Sequence, residues 1–364
     1  MRRTVGFVIA SAVVVALAAA TVAWQRPDVR LRVTAAAVAL EALDILAVPW
    51  CALAVQVETT TVAGTTVDRH VSDEMAPIIV LVPGATRHGR ADPRTREVAH
   101  AIARRGRTVV IPELDVYREQ LVGHDVDRLV AVVEELARDG ARVTLGGISF
   151  AGALALLAAS DLEVDARTLG QASPVALVAT FGAYVDLIEV TTAVLVGESR
   201  VGDQSFTWEP DTRSRDVVRA QVMALLEPSA RDVVEAAVAG DLDLRLVPED
   251  LRAVIDLLTA TTWSEATDAT RRLPSPMVAR LHEMSPARVG DHLDTPVVAM
   301  HARRDPVIPF AELIRLGQQQ PQAELLALEG FGHVDRDAGG GLRATVSDAR
   351  TAWSFAFSVL ESGT

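Results

Sequence analysis

Short apolar runs alternate with longer amphipathic stretches over most of the chain, and this alternation is the main pattern of the sequence. Helical stretches at about 93–105, 125–138 and 342–360, with another after residue 149, separate the runs. Such alternation predicts a mostly parallel sheet with helices on both faces. An antiparallel hairpin from about 54 to 71, turning at Val62–Thr65, brings the predicted sheet to eight strands. The other strands are predicted at 78–82, 108–112, 143–146, 175–180, 297–301 and 325–328.

The pattern changes between the sixth and seventh predicted strands. Residues 185–286 are helical in character, and no strand-like run breaks the stretch. We therefore expect four parts: an N-terminal segment (1–57), a first part of the α/β core (58–184), a helical insertion (185–286) and a second part of the core (287–364). The clearest helices of the insertion are predicted at Arg213–Leu226, Arg231–Gly240 and Pro248–Leu258.

The fifth predicted strand runs directly into a serine between small residues. The strand ends at Gly147, Ser149 follows, and an Ala/Leu-rich helix begins soon after. A strand that turns this sharply into a helix strains the backbone of the residue at the turn, and its neighbours must be small. Gly147 and Ala151 meet that requirement. The turn would lift the Ser149 hydroxyl clear of the sheet edge.

Two residues with acid–base side chains follow other strands of the same predicted sheet. Asp305 lies in the loop after the strand at 297–301, and His333 lies in a Gly-Phe-Gly-His turn after the strand at 325–328. Parallel strands bring such loops to one edge of the sheet. A serine hydroxyl becomes a nucleophile when an imidazole takes its proton and a carboxylate orients that imidazole. Ser149, His333 and Asp305 therefore form a candidate catalytic triad.

These motifs resemble those of the α/β-hydrolase family over about residues 60–360. The turn at Ser149 is similar to the family's nucleophile elbow, with Ala151 in place of the second glycine, and the chain order Ser, Asp, His is the family's order. The resemblance implies an oxyanion hole formed by the backbone amides of Ala85 and Phe150. Many members have a histidine where this chain has Pro83. A plain βα turn at Ser149 and a plain turn at Ala85 stay open as alternatives.

The resemblance implies a serine hydrolase that cleaves carboxylic esters through an acyl-enzyme, on a small-molecule or lipid substrate. It also implies that the helical insertion is a cap over the pocket. Thioester or amide hydrolysis and acyl transfer to an alcohol are alternatives on the same fold. A non-catalytic ligand-binding protein is the alternative from another class.

The N-terminus carries an apolar stretch without charge, the 20 residues Val5–Trp24. As a helix it would span about 30 Å, close to the thickness of a bilayer core. We expect a retained single-pass anchor with an extracytoplasmic catalytic domain. A cleaved signal peptide, and hence a secreted protein, is the alternative. A second apolar stretch, Val33–Val57, contains Glu41 and Asp44, and it suits an amphipathic helix on a membrane or domain surface.

Composition narrows the function classes. The net charge of −13 and the lack of a basic patch argue against nucleic acid as a partner. All 35 basic residues are arginine, so Schiff-base chemistry on lysine is excluded, and the single cysteine, Cys51, cannot form a thiolate cluster. No dinucleotide or Walker-type glycine motif is present. His301 with Asp305, and His333 with Asp335, have spacings that could bind a metal, but both pairs fall in the triad loops. We expect no cofactor and no metal.

Overall fold

The computed structural model describes residues 26–42, 53–86, 88–118, 124–333 and 342–362. The predicted span Val5–Trp24, Cys51 and Asp335 lie outside these residues. Within the described ranges, no helix is both long and apolar enough to cross a membrane.

The chain forms its elements in the predicted alternation. Before the insertion, the structure has α1 (Pro27–Ala42), β1 (Gln56–Val62), β2 (Thr65–Val71), β3 (Ile78–Val82), α2 (Pro93–Ala103), β4 (Thr108–Pro112), α3 (His124–Leu136), β5 (Val143–Ile148), α4 (Phe150–Thr168) and β6 (Val175–Phe181). The insertion comprises α5 (Leu187–Val196), β7 (Glu198–Val201), β8 (Gln204–Thr207), α6 (Thr212–Ala224), α7 (Pro228–Ala239), α8 (Glu249–Thr259), α9 (Trp263–Thr270) and α10 (Ser275–Glu283). After it come β9 (Val297–Ala302), α11 (Ala311–Gln319), β10 (Glu324–Leu328) and α12 (Leu342–Glu361). Short 3-10 turns lie at Gly89–Ala91, Asp115–Arg118, Leu244–Leu246 and Pro286–His292.

The central sheet has eight strands in the order β1-β2-β4-β3-β5-β6-β9-β10. β1 and β2 pair antiparallel and β2 joins β4 antiparallel, whereas all the remaining pairs are parallel. The predicted fold class is confirmed: a mostly parallel eight-stranded sheet with helices on both faces. β5, which leads into Ser149, lies in the middle of the sheet.

The leading hairpin forms where the sequence predicts it. Ala63 and Gly64, the two turn residues, both have positive φ angles, 47° and 78°. Two consecutive residues of this kind make the tight turn whose twist matches that of paired strands.

The sheet separates two hydrophobic layers. On one face, α3, α4 and α11 and the insertion share a core with inward residues such as Val143 and Leu145. On the other face, α1, α2 and α12 pack against residues such as Ile79 and Leu81. Successive side chains of a strand point to opposite faces, which is why each strand supplies residues to both layers.

The insertion differs from its prediction in one element. A hairpin, β7 with β8, interrupts the helices, so the expectation that no strand occurs between 185 and 286 is wrong. Its strands are short and carry mostly polar residues, and they lack the apolar alternation by which a strand is recognised. The signal that the pattern missed is the turn at Gly202-Asp203, where Gly202 has a φ of 56°.

The N-terminal helix also differs from its prediction. Val33–Val57 is not one helix, because α1 ends at Ala42 and Val57 belongs to β1. α1 lies on the surface of the domain against α12. Its Glu41 carboxylate pairs with Arg104 and Arg105, at 3.0 and 3.1 Å.

Candidate active site

Ser149 stands at a strained turn between β5 and α4. Its φ and ψ are 56° and −132°, a conformation that residues with a side chain rarely adopt. A Cβ on Gly147 would lie 2.4 Å from the carbonyl oxygen of Ala151, so strand and helix can cross this closely only with glycine there. The geometry is the one that the small residues of this segment predict.

The structure brings the three predicted catalytic side chains into one hydrogen-bonded row. His333 Nε2 lies 2.7 Å from Ser149 Oγ, and His333 Nδ1 lies 2.6 Å from Asp305 Oδ2. When Nδ1 carries the proton and donates it to the carboxylate, Nε2 is left to accept from the serine hydroxyl. Asp305 is fully buried, whereas the His333 side chain is 15% exposed, so a substrate can reach the serine side of the row.

Both the side chain and the backbone carbonyl of Asp305 accept hydrogen bonds. Its Oδ1 accepts hydrogen bonds from the backbone amides of Val307 and Ile308, at 2.8 and 3.0 Å, which leaves Oδ2 to face His333. Its backbone carbonyl accepts from Trp208 Nε1 of the insertion at 2.6 Å. Amides that donate to a buried carboxylate stabilise its charged form.

His301 supports the same loop. Its Nε2 lies 2.9 Å from the carbonyl oxygen of Ile308 and 3.4 Å from Asp305 Oδ2. Burial lowers the pKa of His301 and keeps the ring neutral. With Nε2 donating to the carbonyl of Ile308, His301 braces the turn that carries Asp305.

A metal centre has little support in the described part of the chain. The described group with suitable spacing is formed by Asp115, in the 3-10 turn Asp115–Arg118, and by His124 and Asp125 at the start of α3. Both oxygens of Asp125 already accept backbone amide protons, from Asp115 and Val116. The cluster therefore has a structural explanation as the cap of a loop.

The loop after β3 lies directly against the serine. A Cβ on Gly84 would lie 2.8 Å from Ser149 Cβ, so only glycine allows this approach. Ala85 follows in the loop, and Phe150 opens α4, where the first amides of a helix have no partner within it. The Ser149 amide is used elsewhere, because it donates to the carbonyl of Phe181 at 2.7 Å. The assignment of Ala85 and Phe150 to an oxyanion hole stays a prediction that fits this arrangement.

Sequence reasoning missed two residues that shape the site. Gly182 has a φ of 64°, and a Cβ there would lie 3.1 Å from His333 Cε1. The sequence feature that could have identified Gly182 is its position directly after β6. Trp208 had no local signal, because its contact with the loop of Asp305 depends on how the insertion folds back.

A cavity of about 910 Å³ opens at the serine, a size common among ligand pockets. Ser149, Ala85, Phe150 and His333 all line it. One part lies under α5 and α6 of the insertion, and the other extends between the sheet and the helices of the opposite face. Because α5 and α6 line this side of the cavity, we call the insertion (185–286) the cap.

A scan against protein-family models finds no match to this chain, and a search of curated proteins finds none either. A search of solved structures finds similar ones. An HSL homologue from a metagenome library is 16% identical, with a TM-score of 0.45 over 83% of this chain and 87% of that one. A hormone-sensitive lipase, also from a metagenome library, is 14% identical, with a TM-score of 0.45 and 84% of each chain covered. A meta-cleavage product hydrolase from Pseudomonas fluorescens is 17% identical, with a TM-score of 0.44 over 82% of this chain and 96% of that one.

Proposed function

We propose that the protein is a serine hydrolase that cleaves carboxylic esters. The observation that carries this proposal is the row from Ser149 Oγ through His333 to Asp305, with hydrogen-bond distances of 2.7 and 2.6 Å. The strained backbone of Ser149 adds support, because such strain persists at functional sites where the surroundings enforce it.

The reaction begins when Ser149 Oγ attacks the ester carbonyl carbon while its proton moves to His333 Nε2. Asp305 stabilises the imidazolium that results. The carbonyl oxygen becomes an oxyanion, and the amides of Ala85 and Phe150 are the donors proposed to bind it. When the tetrahedral intermediate collapses, His333 Nε2 gives its proton to the leaving alcohol and the acyl group stays on Ser149.

Water completes the cycle. His333 Nε2 takes a proton from a water molecule, which attacks the acyl-enzyme carbonyl, and then returns a proton to Ser149 Oγ as the carboxylic acid leaves. An acyl-enzyme on Ser149 could also come from a thioester, or pass its acyl group to an alcohol. Ester hydrolysis is proposed because the residues present complete it with water alone.

Attachment to a membrane is a separate part of the proposal, and the sequence of Val5–Trp24 alone supports it. The full-length protein should stay with the membrane fraction after carbonate washing, with its catalytic domain open to protease on intact cells. A mature N-terminus at Trp24 would instead indicate a cleaved signal peptide.

The catalytic proposal is tested with a fluorophosphonate probe and p-nitrophenyl acetate. Wild type should be labelled and active, and Ser149→Ala should lose both properties. Ser160→Ala is the matched control: Ser160 is buried in the same helix about three turns further on and is 5% exposed. Labelling that persists in Ser149→Ala would show that another residue is the nucleophile. A wild-type protein that is neither labelled nor active would favour the non-catalytic alternative.

A further inference from the structure

The cavity at Ser149 has a second arm, which lies on the face of the sheet opposite the cap. Its floor is formed by β3, β5 and β6, and its roof by α1, α2 and α12. We call this part the body arm. It is continuous with the space at Ser149 and His333, because the same cavity is lined by both sets of residues.

The floor of the body arm is open because the central strands carry small residues there. Thr144, Gly146 and Ile148 line it, while Val143 and Leu145 point to the opposite core. A Cβ on Gly146 would meet its nearest neighbour, Leu81 Cδ1, at 3.4 Å, an ordinary contact. Gly146 is therefore not required by close packing, in contrast to Gly147 beside it. Its lack of a side chain leaves space above the sheet.

The roof carries apolar residues and also polar ones, Glu41 of α1 and Arg94, Thr95 and Glu97 of α2. Val38 of α1 and Ala356 and Val359 of α12 line the arm. Salt bridges from Glu41 to Arg104 and Arg105 hold α1 over the arm. A 2.9 Å hydrogen bond from Trp353 Nε1 of α12 to the carbonyl of Arg32 does the same.

The arm follows β5 away from the serine. From Ser149 to Thr144 the strand covers about 16 Å, roughly the length of an extended alkyl chain of a dozen carbons. At the Thr144 end, the Thr144 hydroxyl lies 2.5 Å from that of Ser362, so the apolar lining ends at a polar pair.

We propose that the body arm binds an unbranched aliphatic chain of the ester substrate, extended along β5 with its carbonyl at Ser149. The floor of the arm offers Ile79, Leu81, Gly146 and Ile148 to the substrate, and an alkyl chain gains from every methylene that leaves water against them. The inference rests on the proposed ester hydrolysis, and it adds the position and chemistry of the group that specifies the substrate.

Two variants narrow the arm from opposite sides. Gly146→Val adds a side chain to the floor, and Ala356→Trp fills space below the roof. Each should lower the ratio of kcat/KM for p-nitrophenyl dodecanoate to that for p-nitrophenyl acetate at least about tenfold, because the acetyl group does not extend into the arm. Ala349→Trp is the control on the same helix: Ala349 packs against this core but does not line the arm, so it should leave the ratio of the two substrates unchanged. Dodecyl acetate shows whether the chain belongs to the acyl or the alcohol side, since only esters with the chain on the correct side should respond.

Direct binding separates this inference from the catalytic proposal. Calorimetric titration of the full-length Ser149→Ala protein with dodecanoate should show binding, and adding Ala356→Trp should weaken it at least about tenfold. An unchanged substrate ratio in both arm variants, or no dodecanoate binding by an otherwise active enzyme, would overturn the inference. Dodecanoate binding without labelling or hydrolysis by wild type would instead overturn the catalytic proposal.

Discussion

Trp208 Nε1 donates a hydrogen bond of 2.6 Å to the backbone carbonyl of Asp305, and this contact joins the cap to the proposed triad. Trp208 follows β8, the second strand of the cap hairpin, and its own amide donates to the carbonyl of Gly197 at 3.3 Å. The hairpin thus contacts the backbone of the loop that carries Asp305, while the amides of Val307 and Ile308 donate to the Asp305 carboxylate.

Trp208→Phe should lower kcat severalfold, because it removes the donor to this loop while keeping an aromatic ring in place. The free energy of unfolding should fall by only about 1 kcal/mol, the usual net contribution of one hydrogen bond. Trp263→Phe is the control, since Trp263 packs beside Arg200 in the cap. Steady-state kinetics and urea unfolding of the two variants provide the comparison. If kcat falls equally in both, the cap as a whole and not this contact affects the triad.

Asp305→Asn should reduce kcat by about three to four orders of magnitude. The asparagine oxygen can still accept from Val307 and Ile308, but its amide group would then face His333 Nδ1 and favour the tautomer that cannot accept from Ser149. The fold should therefore survive while the base is lost.

Asp186→Asn is the matched control for that substitution. Asp186 follows β6 near this edge of the sheet, but its Oδ1 caps α5 by accepting from Ile188 and Glu189. Asparagine caps helices equally well, so activity should be retained. Activity that survives Asp305→Asn but not Asp186→Asn would reassign the acid.

The meeting of Ser149, Asp305 and His333 could be predicted from the sequence because each lies in the turn or loop after a strand of a parallel sheet. Strand order and the chemistry of serine, histidine and carboxylate then bring them together without knowledge of distant contacts. Gly147 was predictable for the same reason, since a close crossing of β5 and α4 is a local requirement.

Other features depend on contacts between distant segments, and no local pattern contains them. The hairpin at Glu198–Thr207 is an exception, because its strands lack apolar alternation but its turn at Gly202-Asp203 is a local signal. The position of α1 depends on distant residues, since Glu41 pairs with Arg104 and Arg105 after α2 and the carbonyl of Arg32 accepts from Trp353 of α12. The body arm forms where three helices cover small residues of the sheet.

Gly84→Ala should abolish most activity while leaving a folded protein. The added Cβ would lie 2.8 Å from Ser149 Cβ and 2.9 Å from the carbonyl oxygen of Ile148. The loop must move away, and the proposed amide donor of Ala85 moves with it. Loss of one oxyanion donor costs about a hundredfold or more in kcat.

Gly317→Ala is the control variant for Gly84→Ala. Its Cβ would lie 2.4 Å from Leu325 Cδ1, a closer contact than that at Gly84 but with the end of a flexible side chain away from the site. It should lower Tm without lowering kcat. Equal losses of activity in both variants would mean that Gly84 acts through stability alone.

The burial of His70 predicts that the free energy of unfolding falls as the pH is lowered. It is fully buried, its Nδ1 lies 3.0 Å from His100 Nδ1, and its Nε2 has no hydrogen-bond partner among the described residues. Burial and the neighbouring His100 and Arg96 lower its pKa from 6.5 to about 4. Between these two values the unfolded chain binds a proton at His70 that the folded protein does not. The stability is therefore fully present above pH 6.5 and is lost as the pH falls towards about 4, by on the order of 3 kcal/mol.

The substitution His70→Gln should reduce this dependence, because glutamine stays neutral and can still hydrogen-bond to His100 Nδ1. Urea unfolding of wild type and variant at pH 7.5 and 4.5 measures the effect as the difference between their two changes in unfolding free energy. Some dependence should remain in the variant, since burial also lowers the pKa of His100 and of His301. An identical loss of stability in both proteins would mean that His70 takes up its proton as readily in the folded state as in the unfolded chain.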